Sequence, residues 1–335
     1  MGISSLSISL LLAAAPPSLQ PVAPNAAVRA PSQPMAEADY RVLLTGGDVT
    51  QLDAACRDAA RFGLHQRLRD GRDRLLQVAP VSESFALVTA TSRALLACRA
   101  PESARRVLGR ISPEPGPQRQ EWLLLSWQAA AAALDHGAAV LALRRFADGD
   151  LTRLEARQIE VGETTAGVVL TRSALDQLAF HEAALGHFER AAAVVLSGQM
   201  SGLEAAERLA RAARWLESLE QPDVTRLLES ALDQAAAVEA WALAEELLRL
   251  QWRLERNAGG DGARPMARLQ RLATRVDDRY TLWQLLQEDP ASGDGVGQRA
   301  ALERQLRSPR EQGGHVSLGE SSKQGPAGPV PSANP

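Results

Sequence analysis

Two histidines and a glutamate lie close enough together in the chain to suggest metal binding: His181, Glu182 and His187. The helical zinc motif His-Glu-x-x-His places both imidazoles on one face of a helix. Here the second histidine comes too late for that spacing, and Gly186 interrupts the helix between them. We therefore expect no metal site, with His181 at the surface or in a groove and His187 in a turn.

Other catalytic chemistries have even less support. The chain has five histidines and two cysteines, and none is placed beside the partners that a zinc site or a nucleophile needs. The paired glycines, such as Gly46-Gly47, lack the spacing of a phosphate-binding loop. Carboxylates such as Glu204 and Glu207 precede Arg208 and Arg211 by one helical turn, which is typical of surface ion pairs. We predict a protein that is not an enzyme and has no cofactor.

Composition limits the classes of partner. The 335 residues are 45% hydrophobic and 23% charged, with a net charge of −3, so nothing favours nucleic acid as a partner. All of the 37 basic residues except Lys323 are arginine, and they are spread along the chain rather than clustered. No apolar stretch reaches the roughly 20 residues of a membrane-spanning helix.

The elements that must carry any site are amphipathic helices rich in Ala and Leu. Apolar positions recur at helical spacing, and Pro and Gly separate helix pairs of roughly 33 to 37 residues each. The first of these helices is expected to begin at Asp48 or Thr50. One later helix is expected to open at Ser82 or Ser84 and a short one to start at Pro101. The others are expected near 65–78, 118–134, 137–146, 151–158, 169–184, 186–197, 202–219, 222–237, 239–256, 264–275 and 278–288.

Three segments fall outside this rhythm. Residues 1–38 are an apolar and proline-rich leader, either a signal peptide, a linker or an upstream extension before Met35. Residues 148–168 are an irregular insertion in the helical domain, which spans 39–290. Residues 291–335 are expected to be disordered, apart from a helical fragment at 298–307. For localisation we slightly favour the cytoplasm over export.

The two cysteines, Cys56 and Cys98, fall on the first helices of two successive pairs. A disulfide between them is possible if the chain is exported. We favour the alternative, two small buried side chains that are not linked.

The best-formed helix pair resembles a tetratricopeptide repeat. It reads Leu175-x-x-Leu178-Ala179-x6-Gly186-x-Phe188-x-x-Ala191-x3-Val195-x-x-Gly198. Weaker matches contain Ala212, Trp215, Leu228 and Ala231, and Val88, Ser92, Leu95, Ala104 and Leu108. The resemblance implies an all-α fold, an antiparallel helix-hairpin solenoid of about 12 to 13 helices.

In that family the first helix of each pair lines a concave surface that binds partners. The resemblance therefore implies groove positions at Thr89, Arg93, Ser173, Asp176 and Phe180, and at Leu209 and Ala213. Members that clamp a peptide carboxylate use Lys and Asn at such positions. Neither is present here, so this type of clamp is not expected.

Our leading hypothesis is a non-catalytic interaction or assembly protein that binds a protein or peptide on the concave face. The alternative is an exported or envelope-associated helical protein with a structural role, which the leader and the two cysteines favour. An enzyme on a helical scaffold is the remote third possibility.

Overall fold

A computed structural model of the chain describes residues 33–78, 84–163, 169–217, 223–288 and 295–307. Within these ranges the fold is predominantly helical, with sixteen helices and one pair of strands. The expectations for 1–32 and 308–335 lie outside the described residues. The helices are α1 (Glu37–Gly46), α2 (Val49–Arg61), α3 (His65–Val78), α4 (Phe85–Ala97), α5 (Pro101–Leu108), α6 (Pro117–Ala132), α7 (His136–Ala147), α8 (Thr152–Glu155), α9 (Ala174–Ala184), α10 (Phe188–Leu196), α11 (Leu203–Glu217), α12 (Val224–Ala237), α13 (Trp241–Asn257), α14 (Ala263–Arg275), α15 (Arg279–Glu288) and α16 (Gly295–Arg307).

Local sequence explains where several helices begin. Asp48 accepts a hydrogen bond from the Gln51 N–H, and the Gln51 side chain accepts one from the Asp48 N–H, which forms a capping box. Pro101 and Pro117 stand at the starts of α5 and α6, where the missing N–H of proline removes no helical bond.

Two helices differ from the sequence prediction. α1 lies before Asp48, and no side chain caps its N-terminus, so the usual start signal is missing. It is held by Tyr40, which is buried and donates its hydroxyl to the Arg67 carbonyl at 2.7 Å. At the other end, α16 begins at Gly295, within the segment expected to be disordered and earlier than the predicted fragment 298–307.

One turn recurs at six junctions between consecutive helices. In each, a residue with positive φ is followed two residues later by the start of the next helix. The intervening N–H bonds back to the preceding helix, as from Ala100 N to Leu95 O at 2.9 Å, which is the Schellman arrangement. The left-handed residues are Gly63, Arg99, Leu134, Gly186, Glu239 and Asp277.

The predicted irregular insertion contains an antiparallel hairpin. Strands β1 (Gln158–Glu163) and β2 (Val169–Ser173) pair Gln158 with Ser173 and Ile159 with Arg172. A bulge follows Glu160. The predicted short helix is present but ends at Glu155, before the predicted end at 158. The expectation of a helix from 169 was wrong for 169–173, which is strand.

The packing is local along the chain. The substantial contacts join elements that are adjacent in sequence or separated by one element, apart from the contacts of α7 and α8 with α9, which bridge the hairpin. Three apolar cores follow one another, the first built from α2 to α6, the second from α6 to α11 with the hairpin, and the third from α11 to α15. Leu75, Leu95, Leu143, Leu178, Leu228 and Leu247 are among their fully buried side chains.

Cys56 and Cys98 form a disulfide between α2 and the C-terminal end of α4. Their Cα atoms are 4.8 Å apart, within the normal range for such a bond. The expectation of two unlinked cysteines was therefore wrong, although both side chains are buried as predicted. Gly71 of α3 lies against the bridge, where an added Cβ would be 2.7 Å from the Cys56 Sγ.

Candidate binding cleft

A cavity of the fold, which we call the cleft, has a volume of about 820 Å³. Its walls come from α2, α4, α6 and the hairpin. The lining residues are Arg57, Ala60, Arg93, Leu96, Ala97, Arg99, Glu121, Leu124, Leu125, Trp127, Gln128, Ala132, Arg157, Gln158, Ile159, Glu160, Gly162 and Val169. This lining combines apolar side chains with charged ones, as binding sites commonly do.

Positive charge exceeds negative charge in the cleft, with four arginines against Glu121 and Glu160. Arg93 forms an ion pair with Glu121, which joins α4 to α6. Arg99 donates to the backbone carbonyl of Ala60 at 3.2 Å. Because a carbonyl is uncharged, this bond does not neutralise the positive charge of Arg99. Arg157 is exposed and has no ion pair with any described side chain.

The recurrent turn relates the cleft residues to one another. Arg57, Arg93 and Gln128 precede the left-handed residues Gly63, Arg99 and Leu134 by the same number of positions. They therefore occupy one equivalent position on α2, α4 and α6, and all three line the cleft. Phe180 has the same relation to Gly186 on α9, which places two predicted groove residues, Arg93 and Phe180, in a single row of the repeat.

Three of the predicted groove residues are buried, namely Thr89, Ser173 and Ala213. The Thr89 hydroxyl donates to the carbonyl of Ala86 at 3.2 Å within its own helix. Ser173 caps α9 by accepting the Leu175 N–H, and its hydroxyl donates to the Leu154 carbonyl, both at 3.2 Å. None of the three side chains presents a surface to a partner, and the Thr89 and Ser173 hydroxyls bond to the local backbone instead.

Asp176, also predicted for the groove, joins a buried ion cluster. Its carboxylate accepts from Arg208 at 3.1 Å and pairs with Arg211. Burial alone would raise the pKa of Asp176, but the two arginines outweigh it and hold that pKa below its usual value. Asp176 therefore joins α9 to α11.

Glu155 completes this cluster from α8. It pairs with Arg208 and accepts the backbone N–H groups of Gln199 at 2.7 Å and Met200 at 3.0 Å. Arg208 is only 3% exposed. The sequence prediction of a surface ion pair between Glu204 and Arg208 was wrong, because Arg208 turns inward to carboxylates that are remote in the chain.

Phe180 is the predicted groove residue with the most exposed apolar surface, at 53%. Its ring meets the rings of His136 and His181 edge-on, with centroids 5.9 and 5.3 Å away. Phe180 does not line the cleft itself. It is connected to the cleft through Trp127, whose indole N–H donates to the Nε2 of His181 at 3.0 Å.

His181 is buried rather than at the surface, so its predicted position was wrong. Besides Trp127, its Nδ1 lies 2.9 Å from the Nδ1 of His136. Burial, aided by the neighbouring His136, lowers the pKa of His181 to about 4, so the ring is neutral near pH 7. His187 lies in the turn before α10, as expected.

The neighbouring Glu182 is also buried. It binds the Nε of Arg144 at 3.0 Å and the Nδ1 of His187 at 3.0 Å. Burial opposes its ionisation, but these two partners keep the pKa of Glu182 below its usual value. The described contacts of Glu182 with Arg144 and His187 form a helix-packing network. Among the described residues, no group of three or more His, Cys, Asp or Glu side chains could hold a metal ion.

The sequence did not identify Arg57, Arg99, Arg157 or Gln128 as site residues. Alignment of the six turns is the signal that would have found Arg57 and Gln128, because both are equivalent to Arg93. Arg157 belongs to the hairpin, which was not predicted.

None of the described helices is both long enough and apolar enough to cross a membrane. No protein-family model matches the chain, and no curated protein or solved structure has a significant match to it.

Proposed function

We propose that this protein is a non-catalytic interaction or assembly protein that binds a protein or peptide in the cleft. The observation that carries the proposal is the row formed by Arg57, Arg93 and Gln128, since equivalent residues of three successive units line one cavity. We further propose that the helices form a tetratricopeptide-like solenoid. The recurrent turn and the local packing support this architecture.

Photo-crosslinking in cells tests the proposed binding face. A photoreactive amino acid replaces Gln128 in the cleft or, as a control, Gln270, which is exposed on α14. We expect a discrete crosslinked protein from position 128 and none from position 270. Identical products from both positions, or none from position 128, would rule out the cleft as the partner site.

A charge reversal provides a second test with the crosslinked partner in hand. Arg93→Glu should weaken binding, because the new carboxylate would repel Glu121, the present partner of Arg93, and so alter the cleft wall. Arg226→Glu is the matched control, since Arg226 is 77% exposed and pairs only with the nearby Asp223. Equal affinities of the two variants would contradict the proposal.

A second candidate function, an exported protein with a structural role, is favoured by the disulfide between Cys56 and Cys98. Disulfides form and persist mainly in oxidising compartments. Mass spectrometry of the protein from its native host would show a linked Cys56–Cys98 peptide and a processed N-terminus. An unprocessed chain with two free thiols in the cytosol would exclude this alternative.

A further inference from the structure

The hairpin wall of the cleft is formed by the edge of a strand. Gln158, Ile159 and Glu160 are consecutive residues of β1, and all three line the cleft. Successive side chains of a strand point to opposite faces. A run of three lining residues therefore means that the edge of β1, rather than one face of the hairpin, borders the cleft.

The strand register identifies the backbone groups at that edge. The Arg157 carbonyl accepts the Ala174 N–H at 2.8 Å, so residue 157 bonds toward β2. In an antiparallel pair, hydrogen-bonded and non-hydrogen-bonded residues alternate. Ile159 then also bonds toward Arg172, while the N–H and C=O groups of Gln158 and Glu160 point away from β2.

These outward groups have no partner among the described residues. No backbone bond beyond the hairpin itself involves residues 158–163. Gln158 and Glu160 are also exposed, whereas Ile159 between them is buried and anchors the strand in the second core. An exposed strand edge of this kind is a template for a further strand.

We infer that the cleft holds an extended, acidic polypeptide segment that pairs with Gln158 and Glu160 as a third strand. The inference rests on the proposed function and names the chemistry of its partner. Strand addition uses backbone hydrogen bonds for affinity and side-chain contacts for selectivity.

The charges of the cleft select an acidic segment. Arg157 directly precedes β1, and Arg93 and Arg99 line the same cleft from α4 and the turn after it. A strand paired with β1 directs alternate side chains to opposite faces, so acidic side chains at every second position would share one face. The exposed Val169 and Leu170 extend the hairpin with apolar surface, which suits apolar residues at the intervening positions.

Synthetic peptides test the inference directly. The probe is a capped peptide of alternating Glu and Val, compared by fluorescence anisotropy with a Lys-Val peptide and with a Glu-Val peptide N-methylated at alternate residues. We expect the Glu-Val peptide to bind most tightly. N-methylation should weaken binding about tenfold, because it removes the two hydrogen bonds that the peptide N–H groups would donate to the carbonyls of Gln158 and Glu160.

Variants of the full chain complete the test. Arg157→Glu should weaken Glu-Val binding about tenfold and reduce its salt dependence. Arg153→Glu is the matched control, since Arg153 is 60% exposed on α8 and does not line the cleft. It should change the affinity less than about twofold, since rim charges outside a site contribute little.

The possible failures are distinguishable. Equal binding of the N-methylated peptide would overturn strand pairing, and tighter binding of the Lys-Val peptide would overturn the acidic partner. Preferential binding of a single-stranded oligonucleotide would indicate a nucleic-acid site instead. If no peptide binds while Gln128 still crosslinks to a protein in cells, the strand inference fails and the proposed function stands.

Discussion

The indole of Trp127 on α6 donates to the Nε2 of His181 on α9, and this bond fixes the tautomer of the histidine. With Nε2 as the acceptor, a neutral His181 carries its proton on Nδ1 and donates it to the Nδ1 of His136. A chain of three rings therefore joins the cleft wall to the surface around Phe180.

Acid should weaken the fold through His181. Its pKa is about 4 in the folded state against 6.5 as a reference, so the unfolded chain takes up the proton first as the pH falls. The free energy of unfolding is therefore unaffected by His181 protonation above about pH 6.5. It declines as the pH falls from about 6.5 to about 4 and levels off below that. The loss should be on the order of 3 kcal/mol.

Urea unfolding at a series of pH values measures this effect. His181→Gln should be less stable than the wild type near neutral pH but should lose less stability between pH 6.5 and 4.5. His65→Gln, which changes an exposed histidine, is the control and should follow the wild-type profile. Parallel profiles for all three proteins would contradict the role assigned to His181.

Removal of Arg208 should be strongly destabilising. Arg208→Met leaves the carboxylates of Glu155 and Asp176 without their shared partner in a buried site. Breaking a buried pair in this way costs about 3–5 kcal/mol. Arg214→Met on the same helix breaks the exposed pair with Glu246, and should cost less than about 1 kcal/mol. Similar free energies of unfolding for both variants would show that the cluster is not important for stability.

A methyl group at Gly71 should destabilise the protein, although alanine is the better helix former. The added Cβ of Gly71→Ala would lie 2.7 Å from the Cys56 Sγ, and overpacking of this kind costs about 1–3 kcal/mol. Gly137→Ala is the control, because its nearest atom is Asp135 Oδ1 at 3.6 Å. It should be neutral or stabilising by up to about 1 kcal/mol.

The close contact with the disulfide sulfur atoms is what should destabilise Gly71→Ala. In a background with both cysteines changed to alanine, Gly71→Ala should lose most of its destabilising effect. A thermal-denaturation cycle of the four proteins gives the coupling, and a coupling near zero would contradict the contact.

Glycine at Leu134 should stabilise the recurrent turn. Leu134 has a φ of 57° and a side chain that is 75% exposed. A left-handed conformation costs a non-glycine residue about 1–2 kcal/mol. Part of this gain is lost because glycine makes the unfolded chain more flexible, so Leu134→Gly should raise stability by up to about 1 kcal/mol.

Leu141, on the following helix, is a position where glycine should destabilise the protein. It is half-exposed and lies inside α7, where glycine should destabilise the helix by about 1 kcal/mol. Chemical denaturation of Leu134→Gly and Leu141→Gly should therefore give shifts of opposite sign. A destabilised Leu134→Gly variant would show that this side chain contributes more than its backbone strain removes.

The sequence predicted most helices because Pro, Gly and capping residues mark their ends. It missed the hairpin, although Ile159, Val161 and Val169 are β-branched residues on either side of a glycine-containing segment, a pattern typical of paired strands. The helix predicted over 169–184 is confirmed for 174–184. Its first five residues were wrong, because Ala and Leu further along the segment dominated the periodicity.

The site was harder to predict, because its chemistry depends on contacts between distant residues. Nothing near His181 in the chain reveals Trp127, and nothing near Arg208 reveals Glu155. The disulfide also depends on a contact between residues that are distant in the chain. Helical spacing placed Cys56 and Cys98 on neighbouring helices but could not give the distance between them.

The local packing of this chain also has a consequence for how quickly it folds. Contacts between elements that are close in sequence need only short loops to close, so this chain should fold faster than a chain of the same length with many long-range contacts. Formation of the Cys56–Cys98 bond is a slower chemical step. Because the chain has only two cysteines, no incorrect intramolecular pairing can form, and oxidation can follow folding without a shuffling stage.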